Sequence, residues 1–119
     1  MRNAEENREC AYSALAQATP CQSRWSVVMG FYAAVHYVNA YLWERLQIEP
    51  HDHAERRSFV LTLADFRPIE YEYRRLYDRA YVARYQPGHV VANADARKLL
   101  DETLEPIRAA IVPILNAQP

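Results

Sequence analysis

Tyr32, His36, Asn39 and Trp43 fall at i, i+4, i+7 and i+11, which sets them on one stripe of an α-helix. The stripe offers a phenol, an imidazole, a carboxamide and an indole, groups that hydrogen-bond and stack but carry no fixed charge. On residue type alone His36 reads as a core histidine bonded to a Tyr or to a carbonyl of a neighbouring helix. A second set is His51, His53, Glu55, Arg56 and Arg57. His53 and Arg56 are i, i+3 and share a face. At a helix start, where free amides and the dipole already favour an anion, they form a candidate phosphate-binding pair; the same residues also suit a solvated first turn. His-x-His alone fixes no zinc geometry and the nearest Cys is far away, so neither metal nor any other cofactor is expected.

The helix that carries the stripe is expected from Thr19 to Gln47. It opens on a Thr cap, Pro at the first helical position and Gln22 three residues on, and its apolar residues cover nearly the whole circumference, so other helices must surround it. Asn3 with Glu6 predicts a capping box for a first helix reaching about Ala18, thin in apolar residues and so on the outside of the bundle. Asp52 with Glu55 predicts a second box, starting a helix with the face Phe59, Val60, Leu63 and Phe66 that Arg67-Pro68 breaks. A fourth helix spans about Ile69 to Tyr85, its core face Ile69, Tyr73, Leu76, Ala80 and Ala83, with Tyr77 and Arg84 on a flank. Arg74, Arg75 and Arg79 beside Glu70, Glu72 and Asp78 read as a salt-bridged, solvated face. Residues 86–89 form a turn. The last helix begins between Val91 and Asp95, with a seam of Leu100, Leu104, Ile107, Ile111 and Ile114 and a kink or split at Pro106.

Composition agrees with an all-α chain. Half of the 119 residues are hydrophobic and only two are Gly, so a single domain spanning residues 1–119 has enough apolar surface for a core without disulfides or metal. A net charge of −1 weighs against bulk electrostatic coating of nucleic acid, and no DNA partner is expected. All but one of the fourteen basic residues are Arg, suited to bidentate phosphate contacts and stacking. Cys10 and Cys21 lack CxxC spacing and no signal peptide is visible, so they read as buried small hydrophobes of a cytoplasmic protein. No membrane span is expected, because His36, Asn39 and three Tyr interrupt residues 27–43.

The run Gly30-Phe31-Tyr32-Ala33-Ala34-Val35-His36, inside a long second helix, resembles the HEPN family, small helical bundles of prokaryotic conflict systems and RNA processing. So does the Arg- and Tyr-rich segment Leu76–Tyr85, and the resemblance extends over residues 3–115. It implies an all-α bundle of four to five helices with a long central second helix, forming a homodimer. Active members are metal-independent endoribonucleases that bring an Arg and a nearby His together at the dimer interface. Arg84-Tyr85-Gln86-Pro87-Gly88-His89 has that Arg-x4-His form. The implied roles are His89 as the base that takes the 2′-hydroxyl proton and Arg84 as the cation facing the phosphorane. The resemblance also implies that His36 lines an inter-protomer groove and touches RNA. Two features depart from the family: Tyr85 follows the Arg where a polar residue is usual, and Pro87-Gly88 puts the spacer in a turn. On the residues alone, Arg84 equally suits a helix C-terminus and His89 a solvated turn. Two functions follow. One is a dimeric HEPN-like interaction or RNA-binding module of a conflict or toxin–antitoxin system, non-catalytic or weakly active and partnered by a nucleotidyltransferase-type antitoxin. The alternative is a metal-independent endoribonuclease toxin using Arg84 and His89.

Overall fold

The structure, a computed structural model, describes residues 1–17, 19–86 and 88–117, without the Pro20 side chain. Five α-helices follow in order: α1 (Arg2–Leu15), α2 (Pro20–Leu46), α3 (His53–Thr62), α4 (Glu70–Tyr85) and α5 (Asn93–Asn116), with a 3₁₀ segment (Ala64–Ile69) between α3 and α4. Among the described residues there is no strand, and the chain is an all-α bundle. The central helix is α2, packed against α1, α3, α4 and α5. Its ends escape this cover: Trp25 is 49% and Trp43 51% exposed.

Local chemistry explains where two of the five helices, α2 and α3, start. The Thr19 hydroxyl accepts from the Gln22 amide (3.2 Å), and the Asp52 carboxylate accepts from the Glu55 amide (2.8 Å), as capping predicts. The Asn3–Glu6 box does not form. Helix α1 begins at Arg2 with no side-chain cap, because Glu6 instead pairs with Arg2 at i, i+4 (3.0 Å). It ends at Leu15, and Ala18, its expected end, lies outside the described residues. The Leu15 carbonyl accepts from the Asn93 amide group (2.6 Å).

Helix α3 also stops earlier than expected, at Leu63, and Arg67-Pro68 falls inside the 3₁₀ segment. Pro68 has no amide for a continuing α-helix, and the tighter turn delivers the buried Phe66 edge-on to Tyr41, ring centroids 4.6 Å apart. Pro106 does not split α5, which runs unbroken through both Pro106 and Pro113. The carbonyls these prolines deprive of partners belong to Glu102 and Ala109, both at exposed positions where water serves. At the other end of α2 the backbone turns left-handed at Gln47 (φ 56°), whose amide returns to the Trp43 carbonyl while that of Ile48 returns to Leu42.

The core joins Val27, Phe31, Ala34, Val38 and Leu42 of α2 to the expected faces of α4 and α5, with Ala4, Ala11 and Leu15 from α1. Ile114 is only partly buried. Cys10 and Cys21 are exposed rather than buried. Cys10 falls beside the inward stripe of α1, and Cys21 sits in the first turn of α2. The polar face of α4 does not close on itself either: Arg75 pairs with Glu102 of α5 (2.8 Å), and Arg74 lies over Tyr71. Ion pairs instead tie helices together, Arg8 to Glu105 and Arg108 to Glu5 across α1 and α5. Partly exposed as they are, such pairs contribute about 0–1 kcal/mol each.

Helices α2 and α5 meet at Gly30, where an added Cβ would lie 2.3 Å from Leu100 Cδ2. Gly30→Val should therefore destabilise the fold by about 2–3 kcal/mol through overpacking. In a Leu100→Ala background the same change should cost less, because the valine fills the space vacated. Chemical denaturation of the four-protein cycle measures this, and strict additivity would refute the contact.

Candidate functional site

The polar stripe of α2 is not sealed in the core. Tyr32, His36 and Asn39 are half-buried, in a strip facing α3 on one side and α4 on the other. From α3, Arg56 reaches Asn39: its Nε donates to Asn39 Oδ1 (2.8 Å). Its Nη1 lies 2.9 Å from His53 Nδ1. A guanidinium only donates, so His53 Nδ1 accepts and the ring proton sits on Nε2. Arg56 is only 8% exposed, yet no carboxylate pairs with it among the described residues.

From α4, Arg84 Nη1 donates to the Tyr32 hydroxyl (2.8 Å). Its guanidinium lies over the rings of Phe31, Tyr32 and Tyr85, at 5.8, 5.6 and 5.0 Å from their centroids. Among the described residues Arg84 Nε, which is buried, has no hydrogen-bond partner and no carboxylate pairs with this arginine. The position in the last turn of α4 suits a cation, but the side chain serves the strip, not the helix end. The buried Phe31 is the common floor: its ring lies 5.5 Å from His53 and 5.4 Å from Tyr77, whose own face carries Arg57 at 5.1 Å.

Electrostatics follow from this crowding of cations. Burial, then the charges of Arg56 and Arg84, push the His53 pKa below the ordinary histidine value, with Asp52 acting weakly the other way. Burial, then the charges of the amino terminus and of Arg56, likewise lower His36. Both rings are therefore neutral near pH 7, and His36 makes no side-chain hydrogen bond to any described residue, unlike the bonded core histidine expected. Beneath them the Tyr73 hydroxyl is buried, and burial raises its pKa to about 12 against the opposing pull of the Arg56 guanidinium beside it.

The residues singled out in sequence thus divide. His53, Arg56, His36 and Arg84 gather along one strip. His89 lines a different cavity, of about 360 Å³, with Arg75, Arg79, Asp95 and Lys98, and no hydrogen bond or stack joins it to Arg84. The turn before it is real to the extent that the His89 amide returns to the Gln86 carbonyl (3.3 Å) and Gly88 has φ +72°; Pro87 lies outside the described residues. Among the described residues, His51, His53 and Glu55 do not converge, and no three His, Cys, Asp or Glu side chains group as a metal site would. No described helix is long and apolar enough to cross a membrane. The Arg84–Tyr32 bond spans 52 positions of sequence, and the only hint of it was that both residues flank their helices' core faces. In comparisons with known proteins, the chain matches no family model, no curated protein and no solved structure.

Because both histidines bind protons less readily folded than unfolded, stability should be fully present above their unfolded pKa near 6.5. It should fall as pH drops below that value, since the unfolded chain takes up protons first. Glu5, lowered chiefly by its bond to Arg108, adds a further loss below about 4.5. His53→Asn keeps an acceptor for Arg56 without titrating, and should flatten the upper part of the thermal-midpoint profile. Nitrogen-15 shifts of His53 should report a neutral ring protonated at Nε2; a charged ring at pH 7 would contradict the geometry.

Proposed function

We propose that this protein is a HEPN-like dimeric module that binds single-stranded RNA, gripping a phosphate with Arg84, His53 and Arg56. The observation that carries this reading is the pair of arginines, Arg56 buried and Arg84 half-buried, without carboxylate partners among the described residues, and beside them a histidine that has only a donor to offer. A buried cation lacking a counter-charge costs several kcal/mol unless something compensates it, and a phosphate oxygen facing Arg84, His53 Nε2–H and the free edge of Arg56 would do so. The half-buried tyrosine and the tryptophan along the strip suit stacked bases, as single-strand sites generally do.

The same arrangement favours binding over cleavage. His53 Nδ1 is engaged by Arg56, so this ring has no free base for a 2′-hydroxyl, and His89 belongs to a separate cavity. The exposed rings of Trp25, Tyr81 and Tyr85, near the Arg84 end of α2 and α4, support a second copy packed there. Light scattering at micromolar concentration should give a dimer, and a monodisperse monomer would sink that element.

A labelled uridine heptamer should bind with clear salt dependence. Arg84→Ala should weaken binding about tenfold or more and reduce the salt slope by about 0.7, while His89→Ala should leave it unchanged. Incubated with total RNA in EDTA, the wild type should give few or no products. Strong cleavage lost in both Arg84→Ala and His89→Ala would establish the endoribonuclease alternative instead.

A further inference from the structure

Beyond the Arg56 end of the strip lies a cleft of about 510 Å³ lined by Asn39, Trp43, Ile48, Glu49, Pro50 and Arg56, a volume in the range of small-ligand sites. We infer that this cleft is a base subsite that takes one unpaired guanine of the bound RNA. As a subsite of RNA it rests on the reading above. Glu49 and Arg56 line the same cleft, yet they do not close to an ion pair, and Glu49 has no hydrogen-bond partner among the described residues. Opposite charges held apart across a cleft leave room for a ligand that satisfies both.

The polar groups define that ligand. Glu49 only accepts, so it repels a phosphate and favours a donor edge. Asn39 Oδ1 is held by Arg56 Nε, which turns the Asn39 Nδ2 donor elsewhere. Arg56 commits its Nε–H to Asn39 and one Nη1–H to His53, and its guanidinium also lies beside the Tyr73 hydroxyl, so of its five N–H donors some remain for a ligand in the cleft. A matching base therefore presents two adjacent donors to the carboxylate and an acceptor to the two nitrogens. Guanine does so, with N1–H and the N2 amino group toward Glu49 and O6 toward Asn39 or Arg56. Adenine and cytosine each offer one donor group beside a ring-nitrogen acceptor, and uracil a single N–H between two carbonyls. The half-exposed Trp43 indole supplies the stacking wall that any base would use. Charge also orders the strip. The cleft pairs one Glu with one Arg, whereas the Arg84 end has cations alone, so the phosphate belongs on the Arg84 and His53 side of Arg56 and the base on its Trp43 side.

The test uses Trp43 fluorescence in a Trp25→Phe protein, with free guanosine and adenosine as phosphate-free probes. Guanosine should quench saturably, and at least about tenfold more tightly than adenosine, the margin set by paired against unpaired polar groups. Glu49→Gln should bring the two nucleosides to within about twofold. Equal quenching by both, or no saturable quenching, overturns the subsite. In parallel, heptamers of uridine with a central guanosine or adenosine are compared by anisotropy. A preference for the guanosine heptamer that Glu49→Gln removes supports the subsite within RNA. Arg84-dependent heptamer binding with no guanosine preference overturns the subsite and leaves the phosphate reading standing. Saturable guanosine binding without any heptamer binding supports the guanine pocket and overturns the RNA reading alone.

Discussion

A helix that is apolar on nearly every side needs neighbours on every side, and α2 receives them everywhere except along one strip. Helices α1 and α5 approach on the side of small residues, where Ala4 and Ala11 of α1 and Gly30 of α2 allow backbones to come close. On the opposite side α3 is short and α4 is set apart from it by the 3₁₀ turn. The gap between them falls on Tyr32, His36 and Asn39, so this polar stripe of α2 is also the line its neighbours leave open. Packing thus places the site, and the polar side chains that face it complete what packing cannot.

Arg56 is where that completion is most demanding. Its removal from water is offset in part by two hydrogen bonds to a charged group, each worth about 1.5–3 kcal/mol. These bonds have consequences beyond their energy: one fixes which way the Asn39 amide faces, the other fixes the tautomer of His53. A single cation therefore dictates the donor and acceptor pattern of two neighbours. With Arg84 adding charge from α4, the strip becomes a place of donors and neutral imidazoles.

Much of the fold was legible because it depends on local chemistry or simple periodicity. The Thr19 and Asp52 caps, the face of α4 and most of the α5 seam appear where residue spacing put them. What failed depended on competition or on tertiary reach. Asn3 lost its cap to an Arg2–Glu6 pair in a helix that starts at Arg2, Phe66 was taken by Tyr41 out of the helix pattern, and Arg75 and Arg74 of α4 found α5 and an aromatic ring in place of their own acidic neighbours. The site divides in the same way. His53 and Arg56 are one helical turn apart and were readable as a pair, whereas the meeting of Arg84 with Tyr32 requires the whole bundle. The nearness of His89 to Arg84 in sequence gave no guide to space, because the turn at Gly88 carries it to another cavity.

Gln47 shows how such a site bears on the molecule's own robustness. Left-handed backbone is uncomfortable for a residue with a side chain, by about 1–2 kcal/mol, and glycine is the usual occupant at the end of a helix. The glutamine returns something glycine lacks: its Nε2 donates to the Trp43 carbonyl (2.8 Å), bracing the final turn of α2 where it borders the cleft. Replacing it by glycine would relax the backbone and loosen that turn together. One position thus sets thermal resilience against rigidity of the stacking wall, a trade-off between stability and function held in a single residue.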